Sequence, residues 1–242
     1  LMKKIKKLNF YKVYDLQNST RTSFYKKILF PKFNKDKWSS SITTLPKGKT
    51  KEEFDKISVL ERFDHQLKTS GIVTKNVMNP NFDWACCNID NIKNKYNLQN
   101  YILLFPFCSP HLPSKKWPFY KELILILNNK FNGKYKIFIA PGSKEIEEAK
   151  KFDVQSILYN NKSTSISQLA SLIKKSSFVV ANDTGPAHMA AHLGVKGLAL
   201  FGNHTTAYKV NIDRENFKSI QVSDLSKLSP EKVSEKIFNN LS

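Results

Sequence analysis

Long apolar runs are missing from this sequence. The longest, Tyr101 to Phe107 and Phe178 to Ala181, fall far short of the roughly 20 residues that cross a bilayer. No leader of charged-then-apolar design opens the chain, so a cytoplasmic protein is expected. Cysteine is scarce: Cys86, Cys87 and Cys108 are too few for a disulfide framework, and nothing near them has metal-ligand spacing. Reduced thiols and no metal site are the expectation. Acidic residues are outnumbered, 20 against 39 basic ones, for a formal charge of +19. Such an excess ordinarily raises nucleic acid as a partner. Here it is carried mainly by lysine in a chain also rich in Asn, Ile and Phe, a pattern that AT-rich coding produces, and no RNA- or DNA-reading motif accompanies it. No nucleic-acid partner is expected; weak attraction to anionic lipid surfaces suits the charge.

What is present is a globular composition, 40% hydrophobic and 24% charged over 242 residues, enough for one large domain or one and a half. From Tyr101 onward short apolar runs alternate with amphipathic segments, the pattern of βα units feeding a parallel sheet. Five strands are expected: Tyr101 to Phe107, Lys134 to Ala140, Ser156 to Tyr159, Ser177 to Asn182 and Gly197 to Phe201. Between them, helical spacing marks Trp117 to Asn129, Lys144 to Phe152, Ser165 to Lys175 and Gly185 to Leu193. The third of these carries Ile166, Leu169, Leu172 and Ile173 on one face. A last helix runs from Pro230 to Leu241 behind Ser229, with Ser at N-cap and Pro at N1.

Residues 1–95 differ. They are lysine-rich, with one strand-like segment (Tyr11 to Leu16), helix-like stretches at Ser23 to Leu29 and Ile57 to Leu67, a stop at Gly71, and loops from Pro31 to Lys51. These elements are too few to close a sheet of their own. The expectation is the remnant of a first domain over 1–95, a second domain over 96–242, and a polar linker at Asp90 to Gln99.

The stretch most informative about chemistry is Phe178-Val-Val-Ala-Asn-Asp-Thr-Gly-Pro-Ala-His188. An apolar strand runs directly into Asn182-Asp183-Thr184-Gly185-Pro186, so a helix N-terminus appears at the C-terminal edge of the sheet, where α/β proteins bind anions. Gly185 lets a ligand approach the backbone, and Pro186 costs no donor in the first turn. Asp183 would repel a bare phosphate, so it is expected to cap the helix or meet a sugar. His188, one turn after Thr184, falls on the same face; His192, a further turn along, reads as partly buried.

Asp183-Thr184-Gly185-Pro186-Ala187-His188, then Ala190-Ala191, Leu193-Gly194 and Leu200-Phe201-Gly202, resembles the signature of glycosyltransferase family 9, which contains the ADP-heptose:lipopolysaccharide heptosyltransferases. Leu104-Phe105-Pro106 followed by Lys115-Lys116-Trp117-Pro118 resembles that family's strand and Lys-Arg-Trp-Pro element. Ala140-Pro141-Gly142-Ser143-Lys144-Glu145 is similar to its glycine turn, and Tyr14-Asp15-Leu16-Gln17 to an Asp-Leu-Gln segment late in its N-terminal domain. The matches fall in family order from about residue 10 to the end.

The resemblance implies a GT-B architecture, two Rossmann-like domains facing a cleft, with the nucleotide sugar on the C-terminal one. It implies transfer of a sugar, a heptose, from an ADP-sugar to a lipopolysaccharide core acceptor, inverting and without a metal or other cofactor. Lys115, Thr184 and Gly185 would meet the donor diphosphate, Asp183 and His188 would lie near sugar and phosphates, Glu145 would approach the nucleoside, and Thr164 would lie near adenine. Gln17 and Arg21 would face the acceptor, Arg21 through its oxyanion-binding fork. Trp117 is expected in the core. The family's general base would lie upstream of Leu1, so the alternatives are a fragment that binds nucleotide sugar without turnover, or another GT-B enzyme. Peripheral contact with the cytoplasmic face of the inner membrane would accompany a lipid-linked acceptor. Three departures from the family stand out: Phe107-Cys108 in place of a small-residue turn, Lys116 in place of Arg, and Asn203-His204 in place of a proline-containing turn.

Overall fold

The computed structural model describes residues 4, 5, 8 and 10–241. The chain divides into two compact units: residues 1–80 with 209–211, and residues 81–208 with 212–242.

In the first unit, strands β1 (Val13–Tyr14) and β2 (Trp38–Ser39) pair in parallel, Val13 opposite Trp38. Helices α1 (Thr20–Leu29), α2 (Lys51–Phe54) and α3 (Val59–Thr69) each open on a capping box, Ser19 with Thr22, Thr50 with Glu53 and Ser58 with Glu61. The loop after β1 is organised by buried polar groups. Asp15 Oδ1 accepts the Asn18 N–H at 2.9 Å, and Asn18 itself sits at φ 50°. Gln66 of α3, buried, donates to the Asp15 carbonyl at 3.0 Å and to Ser39 Oγ at 3.2 Å.

The second unit is built on a six-stranded parallel sheet in the order β5-β4-β3-β6-β7-β8, from β3 (Tyr101–Phe105), β4 (Lys136–Ile139), β5 (Gln155–Ser156), β6 (Phe178–Asn182), β7 (Gly197–Phe201) and β8 (Phe217–Gln221). Every residue of β3, β6 and β7 is buried, as strands covered on both faces require; their near-continuous apolar runs follow from that. The strand order reverses between β3 and β6. Such a switch point leaves a crevice beyond the carboxyl ends of the two strands.

Helices α4 (Asp90–Tyr96), α5 (Tyr120–Phe131), α6 (Ile146–Ala149), α7 (Ile166–Lys175), α8 (Gly185–His192), α9 (Ala207–Val210) and α10 (Pro230–Leu241) complete the order. One core joins Leu123, Ile124 and Leu127 of α5 and Val233 and Ile237 of α10 to the sheet. Trp117 lies in it, 1% exposed, its indole donating to the Leu228 carbonyl at 2.8 Å. Asn97 and Asn132 end α4 and α5 in the left-handed region at φ 49° and 44°, a conformation asparagine tolerates better than other non-glycine residues.

Four sequence expectations are corrected. The sheet has six strands rather than five. The segment Asp90 to Gln99 is not a linker: it forms α4, with Ile92, Tyr96 and Leu98 buried. The helix expected from Lys144 to Phe152 contracts to Ile146–Ala149, because its end tightens into bonds from Lys151 to Glu148 and Phe152 to Ala149. Ile166 leaves the apolar face of α7: Leu172 and Ile173 are fully buried whereas Ile166 is 74% exposed. Among the described residues no helix is long and apolar enough to cross a membrane.

Candidate functional site

A cleft of about 380 Å³ lies where β3, β4 and β6 end. Phe105 and Phe107 line it from the β3 side, Pro141 and Gly142 from the β4 side, and Thr184, Gly185 and Pro186 from the turn after β6. Pro106 cannot donate to the ladder, which ends β3 at Phe105 and turns the chain across the top of the sheet. The cleft therefore occupies the crevice at the switch point, with the N-terminus of α8 opening on it.

Glu145, Thr164, Thr184 and Gly185 all line this cleft. Glu145 Oε2 accepts the Gly142 N–H at 2.8 Å, which folds the turn after β4 back on itself. Thr164 lies just before Ser165, the N-cap of α7. A Cβ placed on Gly185 would meet nothing within 4 Å beyond its own turn of chain. Packing within the protein does not demand glycine there; the space over its backbone is open.

The other donor-side residues, Lys115 and His188, cluster around Asp183, the residue before Thr184. Asp183 is 4% exposed. Its Oδ2 accepts from Lys115 Nζ at 2.6 Å and from His204 Nε2 at 3.0 Å, and its Oδ1 faces His188 Nε2 at 3.3 Å. Burial by itself would raise the Asp183 pKa. Hydrogen bonds from His188, Lys115 and His204, together with the Lys115 charge, outweigh it and hold the carboxyl well below its usual range. Asp183 is thus an ionised, clamped carboxylate. It does not cap α8: Thr184 is the N-cap, makes no side-chain bond to the helix, and donates its hydroxyl to the Asn182 carbonyl at 3.2 Å.

Sequence reasoning missed two residues that build this site. Asn182, fully buried, accepts the Trp117 N–H at 3.2 Å and donates to the Phe107 carbonyl at 3.3 Å. It joins the loop after β3, the Lys115-Lys116-Trp117 turn and the end of β6. His204 was visible only as a departure in the turn after β7, and nothing in its local spacing points back to Asp183. His192 keeps its plain role: it packs against Phe82 at 5.2 Å between ring centroids, and burial, then the charges of Arg214 and His188, push its pKa down to about 4. Lys116 pairs with Glu148.

Gln17 and Arg21 belong to the first unit, Gln17 in the turn before α1 and Arg21 in its first turn, both exposed. Among the described residues no group of three or more His, Cys, Asp or Glu side chains could hold a metal ion.

The sequence model of glycosyltransferase family 9 (heptosyltransferase) matches residues 1–237. Among solved structures, E. coli ADP-heptose lps heptosyltransferase II is similar at 16% identity and TM-score 0.63, covering 99% of this chain and 79% of that one. The E. coli heptosyltransferase WaaC, solved with ADP, is similar at 18% identity and TM-score 0.64, over 99% and 75%. A glycosyl transferase family 9 structure from Veillonella parvula gives 14% identity and TM-score 0.71, over 99% and 76%. At these identities the likeness shows the fold, which is that of the GT-B glycosyltransferases. No curated protein sequence matches the chain.

Proposed function

This chain belongs to glycosyltransferase family 9, the heptosyltransferases, and on that premise we propose that it transfers a heptose from an ADP-sugar to a hydroxyl of a lipopolysaccharide core acceptor, with inversion and without a metal. The observation that carries the donor half is the open backbone at Gly185, set at the switch-point cleft with the α8 N-terminus beside it. A diphosphate placed there meets the positive end of the helix and first-turn N–H groups. Lys115 Nζ, 2.6 Å from Asp183, supplies the compensating cation.

In this reading Asp183 is not a phosphate ligand. It anchors His188 and Lys115, and the remaining donors of the Lys115 ammonium serve the nucleotide sugar. As the glycosidic bond breaks, negative charge accumulates on the departing ADP, and groups already fixed in place stabilise it without reorganising. A lysine and a helix terminus can supply that stabilisation where other transferases use a divalent ion. Glu145 and Thr164 line the far part of the cleft with Ile166. An isoleucine 74% exposed at the mouth of a cleft presents an apolar face suited to a flat base, so Ile166→Ser should weaken ADP binding while leaving the folded state unchanged.

Gln17 and Arg21 are proposed as acceptor contacts, the exposed Arg21 guanidinium suiting the phosphates and carboxylates of a lipopolysaccharide core. The lipid-linked acceptor would bring the protein to the inner-membrane surface, where its lysine excess meets anionic lipid. The test is a transfer assay with ADP-heptose and heptose-deficient core lipopolysaccharide. ADP release with a product of inverted anomeric configuration, undiminished by EDTA, is expected. Turnover with UDP-sugars only, or abolished by EDTA, contradicts the proposal.

A further inference from the structure

We propose that His204 is a positioning residue of the donor site, fixing the Asp183 carboxylate and through it the Lys115 ammonium; the inference rests on the reading of Lys115 as the diphosphate's cation. His204 lies in the turn after β7, and its side chain is 8% exposed. Its ring stacks on Phe201, which is itself fully buried, at 6.0 Å between centroids and 13° between planes. Neighbouring Gly202 lies so close to Ser114 that a Cβ there would be 3.4 Å from the Ser114 carbonyl oxygen. The turn that carries His204 is therefore packed against the turn that carries Lys115.

The two ring nitrogens have different surroundings. Nε2 lies 3.0 Å from Asp183 Oδ2, whereas Nδ1 is buried with no hydrogen-bond partner. A proton on Nδ1 would be buried without an acceptor, which is costly. The proton therefore resides on Nε2 and is donated to Asp183. His204 shares Oδ2 with Lys115 Nζ. Without it the carboxylate keeps the two partners that belong to the ligand side, Lys115 and His188, and loses the one that comes from the protein interior. The lysine is then tethered to a carboxylate that can turn, and binding must supply the ordering that His204 otherwise provides in advance.

The test compares ADP affinity in the full chain for wild type, His204→Phe and His204→Gln. Phenylalanine keeps a ring on Phe201 but cannot donate; the glutamine amide can reach Asp183. His204→Phe should raise the ADP Kd by about tenfold and lower the melting temperature, because a buried carboxylate loses a partner; His204→Gln should recover most of both. In a Lys115→Ala background His204→Phe should add nothing further, since it acts through Lys115. ADP binding by His204→Phe equal to wild type, or a loss in His204→Gln as large as in His204→Phe, overturns the inference. If wild type binds no ADP, the donor reading fails, and imidazole nitrogen NMR decides separately. A fixed Nε2–H tautomer in wild type that becomes mobile in Asp183→Asn supports the positioning contact; a mobile tautomer in wild type overturns it.

Discussion

Asp183 shows how a buried charge is made tolerable and useful. With three basic groups on two oxygens, its ionised form is favoured over the burial penalty. Asp183→Asn leaves Lys115 unpaired in a site only 20% exposed on its side chain, and should cost about 3 kcal/mol in urea unfolding at neutral pH. The sign of the pH dependence follows from the lowered folded pKa. The stabilisation is complete above the ordinary carboxylate range and is lost as pH falls from there toward the folded value, so the variant should lose that acid-limb slope. His192 contributes a second slope. Its folded pKa of about 4 lies below the unfolded value near 6.5, so its contribution is present above about 6.5 and is lost as pH falls toward 4. Proton NMR of the His192 ring should show a midpoint near 4; a midpoint above 6 contradicts the described burial. At this scale the sequence was partly legible. The Asp-Thr-Gly turn could be singled out because a strand-to-helix junction has a local signature, and Lys115 only through the family resemblance. His204 and Asn182 could not, because their partners lie 21 and 65 residues away and only the folded chain brings them together.

Glycine separates the elements that hold the site from the opening they leave. At Gly197 in β7, a Cβ would come within 2.6 Å of both the Phe217 ring and the Val179 carbonyl, so Gly197→Ala should destabilise the sheet by roughly 1–3 kcal/mol. At Gly185 a Cβ would meet nothing, so Gly185→Ala should leave the urea midpoint unchanged yet weaken ADP binding, because the methyl group occupies the ligand's space. The reverse pattern, an unstable Gly185→Ala that still binds ADP, contradicts the assignment of that space. The same contrast explains which elements could be read beforehand. Strands β3, β6 and β7 are buried on both faces and announce themselves as apolar runs. Edge strand β8, Phe-Lys-Ser-Ile-Gln, buries only Phe217 fully, and its mixed polarity hides it among loops. Asn97 and Asn132 fill the left-handed helix ends where glycine is the usual signal, so the terminators of α4 and α5 were not apparent. Ile166 obeys helical spacing and still faces the cleft, since spacing sets the face but not what covers it.

For the whole molecule, the alternation of strands and helices after Tyr101 was enough to anticipate a parallel sheet, and the family signature to anticipate the GT-B fold. What neither could supply is the strand order, which places the reversal between β3 and β6 and so brings together turns separated by some 75 residues of chain. That reversal is why Glu145, Thr164 and Thr184, dispersed along the sequence, line one opening, with Lys115 held beside it through Asp183. Around this opening an adenosine diphosphate is the proposed ligand. Calorimetric titration of the chain with ADP and with UDP, repeated for Lys115→Ala and Thr184→Ala, tests this most directly. Saturable ADP binding, tighter than UDP and weakened by both substitutions, is the predicted result; ADP binding that neither substitution alters, or a preference for UDP, would contradict the account.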